Sequence, residues 1–171
     1  ERICICTPGT LDPTLGTMKN SNSTALNGQP LLQDLQDILE VDIKMSNDAN
    51  CFAIAEAELG IVQDTIPDAR VIFGVIMGTG VGGGIVVDGK VISGRQGIAG
   101  EWGHNFLDES GGDCYCGRVG CVETVLSGPA LERYYKSQTG QEKKLKDIVA
   151  AYREDNDKYA VATMERLFHD F

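Results

Sequence analysis

Apolar residues recur along this chain with two periods. Arg2-Ile3-Cys4-Ile5-Cys6-Thr7 reads as a β-strand, closed by the turn residues Thr7-Pro8-Gly9, and Asp12-Pro13 through Gly16 reads as a hairpin or loop. Leu31, Leu32, Leu35, Ile38 and Leu39 are spaced as one face of a helix, and Val41 to Met45 alternates as a strand does. Asn47-Asp48-Ala49-Asn50 then opens a second, alanine-rich helix from Cys51 to Leu59, ended by Gly60. Val71 to Met77 has the composition of a buried strand and runs into Gly78-Thr79-Gly80-Val81-Gly82-Gly83-Gly84. Ile85 to Val87 and Lys90 to Ile92 flank Asp88-Gly89, a hairpin signal. Residues 94–123 are glycine-rich and irregular, and from Ser127 the chain is mostly helical, with Ala162, Leu167 and Phe168 keeping helical spacing to Phe171. Strand, helix, strand, helix, strand, hairpin predicts an α/β protein. A mild boundary is expected at residues 60–70, and no internal repeat or low-complexity segment is present.

The 171 residues suffice for one ordinary domain or parts of two. Hydrophobic residues make up 42% and charged residues 23%, a globular balance. Fifteen Lys and Arg stand against 25 Asp and Glu, a net charge of −10. Such a chain lacks the basic footprint that phosphate backbones and anionic membrane surfaces select, so neither nucleic acid nor membrane is an expected partner. No apolar run reaches membrane-spanning length, and Glu1-Arg2-Ile3-Cys4 does not have a signal-peptide layout. Six cysteines, three of them clustered, fit a reducing compartment, and the cytoplasm is the expected location. A strand at one end with nothing before it to pair with, and a helix at the other that stops without a cap, fit a piece of a longer polypeptide.

The strongest chemical signal is His104 followed by Cys114-Tyr115-Cys116-Gly117-Arg118-Val119-Gly120-Cys121. Zn²⁺ accepts three thiolates and one imidazole tetrahedrally, and four protein ligands leave no open position, so such a site is structural. Gly117 and Gly120 suit tight turns around a metal, which often need positive φ. A disulfide, or cysteines in an ordinary core, are the plainer alternatives. Asn47-Asp48, between a strand and a helix, reads either as a simple cap or as a carboxylate at a strand's carboxyl end, able to take a proton from a substrate hydroxyl. Both hold if one residue caps and the other points outward. The run from Gly78 to Gly84 resembles a phosphate cradle, but it lacks the Gly-Lys-Ser/Thr ending of a P-loop and precedes a hairpin, so a plain glycine-rich turn competes with that reading. Glu101 and Glu123 adjoin the candidate metal ligands and could accept hydrogen bonds from a polyhydroxylated substrate, or be ordinary surface acids. His169, on a polar helix end, reads as solvated.

Together these segments resemble the ROK family of sugar kinases and sugar-responsive repressors. The matching parts are Thr7-Pro8-Gly9, Lys19 to Asn22, Asn47 to Asn50, Gly78 to Gly84, Gly100-Glu101-Trp102-Gly103-His104, and Cys114 to Glu123, in the family's order over essentially the whole chain. Asn20 to Thr24, Leu26 to Pro30 and Glu101 to Asn105 look most like bacterial fructokinases (mannokinases) of this group, with N-acetylglucosamine kinases next. The resemblance implies an actin-like, ribonuclease-H-like fold of two α/β lobes closing on sugar and ATP. Residues 1–60 would belong to the N-terminal lobe, and residues 61–171, with a zinc loop at 94–123, to the C-terminal lobe.

By the same resemblance, Asp48 matches the general base that draws a proton from the sugar's primary hydroxyl. Gly9, Asn22, Asn47, Glu101, His104 and Glu123 match sugar-contacting positions. Gly78, Thr79, Gly80, Gly82 and Gly83 match the phosphate-binding turn. His104, Cys114, Cys116 and Cys121 match the zinc ligands, with His104 offering its second ring nitrogen to the sugar. ATP and Mg²⁺ are implied as co-substrate and ion, Zn²⁺ as a structural ion, and a homodimer as the assembly. The family's Asp-Gly-Gly-Thr phosphate loop and later adenosine-binding glycine segment have no match here, so this stretch alone is not expected to turn over ATP. Fructose is the first expected substrate. An N-acetylglucosamine or glucose kinase, and a sugar-responsive repressor that keeps the sugar and zinc residues, are the alternatives.

Overall fold

The computed structural model describes residues 2–171. Two compact units divide the chain. The first holds residues up to Val75 together with Gly83–Glu101, and the second holds Ile76–Gly82 together with Trp102–Phe171. The division therefore passes within β5 (Val71–Met77) and β6 (Val81–Val87), not at residues 60–70.

In the first unit, β1 (Arg2–Thr7) and β4 (Asp42–Asn47) pair in parallel, from Arg2 opposite Asp42 to Thr7 opposite Asn47. A short antiparallel pair, β2 (Thr10–Leu11) and β3 (Met18–Lys19), forms the expected hairpin. Asp12 holds its loop, accepting from the backbone N–H groups of Thr14 and Leu15 and from Lys19 Nζ at 2.8, 3.0 and 3.0 Å. Helix α1 (Leu31–Leu39) follows, but its apolar stripe is only half covered: Leu31, Leu32 and Leu35 are half-buried, while Ile38 and Leu39 are exposed. Helices α2 (Asp48–Glu58) and α3 (Ile61–Thr65) lead to the three-stranded sheet β5-β6-β7, with β7 at Lys90–Val91. Asp88 and Gly89 both take positive φ (48° and 71°), as their hairpin turn requires. Ala53, Ala57 and Val86 form a core in which α2 meets the sheet.

This packing explains part of the glycine run. A Cβ on Gly84 would stand 2.8 Å from the carbonyl oxygen of Ala49 and 2.8 Å from Ala53 Cβ, so the helix lies against β6 only where a side chain is missing. Gly82, Gly83 and Gly84 are strand residues, and only Gly78, Thr79 and Gly80 lie in the turn between β5 and β6. The expected buried strand is also half open, with Val71 and Phe73 exposed to 68% and 49%.

The second unit is mostly helical, as the sequence predicts: α4 (Val122–Leu126), α5 (Gly128–Thr139), α6 (Leu145–Arg153) and α7 (Lys158–Asp170). Ser127 Oγ caps α5, and Gly140, at φ 73°, ends it. Val81, Val122, Val125 and Leu126 form one core, joined by Trp102, Leu107 and Leu167, while Tyr135, Ile148 and Ala160 form another. Asp157 ties the last three helices together. Its Oδ1 caps α7 through the N–H groups of Tyr159 and Ala160, and its Oδ2 accepts from Tyr135 Oη at 2.6 Å and Lys143 Nζ at 2.7 Å. Lys143, then Tyr135, hold the Asp157 carboxyl well below the usual carboxylate range.

Because the folded state favours the ionised carboxylate and so lowers its pKa, its contribution to stability is present above pH ~4 and is lost as pH falls through the folded value. Asp157→Asn is expected to be less stable than the parent at pH 7, with the gap narrowing below pH ~4; urea melts of the pair at pH 7 and pH 3 measure it.

Candidate functional site

Two groups of candidate residues are built, one in each unit. In the first, β4 ends at Asn47 and α2 begins at Asp48. Asn47 is the buried cap: its Oδ1 accepts from the backbone N–H groups of Ala49 and Asn50 at 2.9 and 3.2 Å. Its Nδ2 donates to the carbonyl oxygen of Gly9 at 3.1 Å. Asp48, the first helical residue, is exposed, with Oδ1 2.8 Å from the Ala49 N–H. One residue caps and the next turns its carboxylate outward.

Gly9 has φ 74°, and a Cβ there would stand 2.5 Å from the carbonyl oxygen of Lys19 and 2.7 Å from the backbone nitrogen of Ser21. Only glycine lets the turn after β1 sit against the 19–21 segment. That segment is held in turn by Asn27, whose Oδ1 accepts from the Ser21 N–H at 2.9 Å while its Nδ2 donates to the Ser21 carbonyl at 3.0 Å. Asn22 follows, exposed, and Asn20 before it takes a left-handed φ of 56°. Asn27 is a support that sequence reasoning missed. Its partner lies six residues away in an irregular loop, beyond any periodic signal. Glu101, half-buried, closes the first unit, its N–H donating to the Ile98 carbonyl at 3.2 Å.

In the second unit, the turn Gly78-Thr79-Gly80 is anchored at both ends. The Gly128 N–H donates to the Gly78 carbonyl at 2.9 Å, and the Val81 N–H donates to Glu123 Oε2 at 2.9 Å. A Cβ on Gly80 would stand 2.5 Å from that same carboxylate oxygen. Glu123 therefore spends one oxygen fixing the turn, a contact 42 residues distant in sequence that no local pattern announces. Thr79 remains exposed. Gly82 serves a different neighbour, its carbonyl accepting from Trp102 Nε1 at 3.1 Å.

His104, Cys114, Cys116 and Cys121 come together with all their ligand atoms within 4.8 Å of one another. Cys114 Sγ lies 3.5 Å from His104 Nδ1, and Cys116 Sγ lies 3.6 Å from Cys121 Sγ. A tetrahedral Zn²⁺ would set sulfur–sulfur edges of about 3.8 Å and sulfur–nitrogen edges of about 3.6 Å from ordinary bond lengths. The donor set and spacing fit that ion. Burial, then the Cys116 and Cys114 side chains, push the Cys121 thiol up to about 12, so three thiolates here require a compensating cation. The loop is shaped for the purpose: Gly117 and Gly120 take φ 85° and 70°, and the Cys114 N–H donates to the Arg118 carbonyl at 2.8 Å. The six cysteines form no disulfide among the described residues. The second ring nitrogen of His104, expected to face a sugar, instead lies 3.0 Å from Tyr115 Oη. His169 is solvated, as expected, with its side chain 89% exposed. No helix among the described residues is long and apolar enough to cross a membrane.

Comparison with known proteins agrees with this geometry. The family model described as ROK family matches residues 1–170. An N-acetyl-D-glucosamine kinase of Vibrio atlanticus (strain LGP32) is 41% identical over 163 residues, 90% of this chain and 53% of that protein. The crystal structure of a ROK hexokinase from Thermus thermophilus superposes with a TM-score of 0.80 at 29% identity, covering 98% of this chain and 53% of that one. A ROK family transcriptional regulator, a homologue of the E. coli MLC protein, superposes with a TM-score of 0.75 at 29% identity, covering 97% of this chain and 43% of that one. The chain spans about half the length of the curated relatives it matches.

Cys116→Ser is expected to lose bound metal and to loosen the ligand segment. Elemental analysis of the purified protein should find about one zinc per chain in the parent and far less in the variant.

Proposed function

Because this chain belongs to the ROK family and has its actin-like α/β fold, we propose that the protein is an ATP-dependent hexose kinase. The observation that carries the proposal is the pairing of a buried Asn47 with an exposed Asp48 carboxylate at the carboxyl end of β4. In the proposed reaction Asp48 takes the proton from the sugar's primary hydroxyl. The freed oxygen attacks the γ-phosphorus of ATP, the bond to the bridging oxygen breaks, and ADP leaves. Phosphoryl transfer depends mostly on positioning and charge stabilisation, so rigid loops matter more here than covalent chemistry.

Gly9, Asn22, Asn47, Glu101, His104 and Glu123 are the proposed hexose contacts, with Asn47 and Glu123 also serving as the internal supports described above. Gly78, Thr79 and Gly80 are the proposed phosphate-facing turn. Gly82 and Gly83 are assigned instead to the strand behind that turn. Mg²⁺ enters with ATP, and Zn²⁺ held by His104, Cys114, Cys116 and Cys121 stiffens the loop without touching the phosphate. A homodimer in the cytoplasm completes the proposal.

N-acetylglucosamine is the leading substrate. The relatives that bear that name are 38% to 41% identical to this chain, whereas fructose rests on the motif likeness alone. A second reading, a sugar-responsive regulator, draws support from the regulator that shares this fold at 29% identity. The exposed Asp48 favours the kinase.

The test is ADP release by the complete gene product with Mg-ATP and N-acetylglucosamine, glucose, mannose or fructose. Turnover is expected, greatest with N-acetylglucosamine. Sugar binding without turnover would move the assignment to the regulator. Asp48→Asn is expected to lower kcat by at least about 100-fold, the scale of general-base catalysis, with hexose affinity by calorimetry retained. Loss of binding in that variant would make Asp48 a substrate-positioning group and not the base.

A further inference from the structure

The metal cluster has an outer partner that no family motif assigns. His104 turns Nδ1 towards Cys114 Sγ at 3.5 Å, and its Nε2 lies 3.0 Å from the phenolic oxygen of Tyr115. The two rings meet edge to face, with centroids 5.1 Å apart and planes at 88°. We propose that Tyr115 is a positioning residue for the metal site, fixing the ring of His104 so that Nδ1 is the ligand atom.

A metal-bound imidazole coordinates through a bare nitrogen, so with Nδ1 facing the thiols the ring's single proton resides on Nε2. Nε2–H then donates to Tyr115 Oη. That bond selects the tautomer, and the perpendicular ring contact resists rotation of the imidazole about its Cβ–Cγ bond. Histidine ligands characteristically rely on such an outer acceptor, more often a carboxylate or carbonyl than a phenol. Tyr115 is well placed by the chain itself: it sits between the ligands Cys114 and Cys116, in a turn closed by the Gly117 N–H to the Cys114 carbonyl at 2.9 Å. Arg118 Nη1 donates to the His104 carbonyl at 3.0 Å, so the backbone of His104 and its ring are held by separate residues of one loop. A hexose hydroxyl seeking Nε2 would have to displace the phenol, so Tyr115 and the sugar compete for that nitrogen. The inference rests on reading the cluster as a zinc site.

The test uses the complete gene product. Zinc content of the parent comes first, because a parent without zinc sinks the metal reading and this inference with it. In a zinc-loaded parent, long-range proton–nitrogen NMR reads which ring nitrogen of His104 carries the proton and which the metal. Tyr115 is supported by a slowly exchanging proton on Nε2 of His104 and a metal-shifted Nδ1. Metal on Nε2 overturns the inference while leaving the zinc reading intact. Tyr115→Phe keeps the ring and removes the acceptor. It is expected to weaken zinc about 10- to 100-fold in competition with a chromogenic chelator, to speed exchange of the Nε2 proton, and to leave the visible bands of the cobalt-substituted site in place. Unchanged zinc affinity, or loss of the cobalt bands, would overturn it. If the variant does not fold, the parent's NMR spectrum alone decides.

Discussion

One buried amide does three things at the end of β4. Asn47 caps α2 with its oxygen, anchors the turn after β1 with its nitrogen, and by taking the capping position leaves Asp48 to face outward. Capping side chains replace the missing acceptors of a helix's first turn, and a buried cap cannot be traded for water. The rest of the first unit's candidate site is built on that amide. Gly9 is held by Asn47, the 19–21 segment rests on Gly9 where a side chain would collide, and Asn27 clamps Ser21 by both backbone groups. Asp48 in turn accepts the Ala49 N–H through Oδ1 at 2.8 Å, so its carboxylate is placed by the first-turn backbone that Asn47 caps.

The second unit uses a different constraint, close approach. Gly103 has no room for a Cβ beside the carbonyl of Val81, and a Cβ on Gly80 would push the Glu123 carboxylate off its bond to the Val81 N–H. Glu123 sits in the first turn of α4, where the helix dipole favours a carboxylate, and accepts the Val81 N–H there. The turn at 78–80 is therefore fixed by the residue two positions beyond the last metal ligand. The Cys121 loop and the turn are linked within one unit through Glu123, so an ion held by the loop would bear on the shape of the turn as well.

Local signals in the sequence were dependable where the physics is local. The Asn47 cap, the Asp88-Gly89 hairpin and the positive φ at Gly117 and Gly120 all follow from preferences of a few adjacent residues, and all three are present. The clustering of His104, Cys114, Cys116 and Cys121 was legible because the four lie within eighteen residues of one another. What spacing could not reveal depends on contacts remote in sequence. The glycine run looked like a phosphate cradle, yet three of its glycines lie in β6, with α2 packed against Gly84 and Trp102 bonded to the Gly82 carbonyl. Periodicity marks Val71 to Met77 as a strand but not which faces are covered, and Val71 and Phe73 are exposed. Glu123 and His104 each show a protein partner, the Val81 N–H and Tyr115 Oη, that competes with the role of facing substrate.

The four-ligand cluster also limits what its metal can do. Three thiolates and an imidazole saturate a tetrahedral ion, so it has no coordination site to lend to water or a phosphoryl oxygen. Its contribution would be mechanical. A bound ion would tie together residues seventeen positions apart, from His104 to Cys121, in a loop whose other restraints are short hydrogen bonds and two left-handed glycines. Cys116 and Tyr115 lie at the surface while Cys114 and Cys121 are buried, so coordination would add to what burial of half the cluster supplies. A kinase gains most from such a loop when the chemistry demands alignment and not covalent assistance, and phosphoryl transfer is a reaction of that kind.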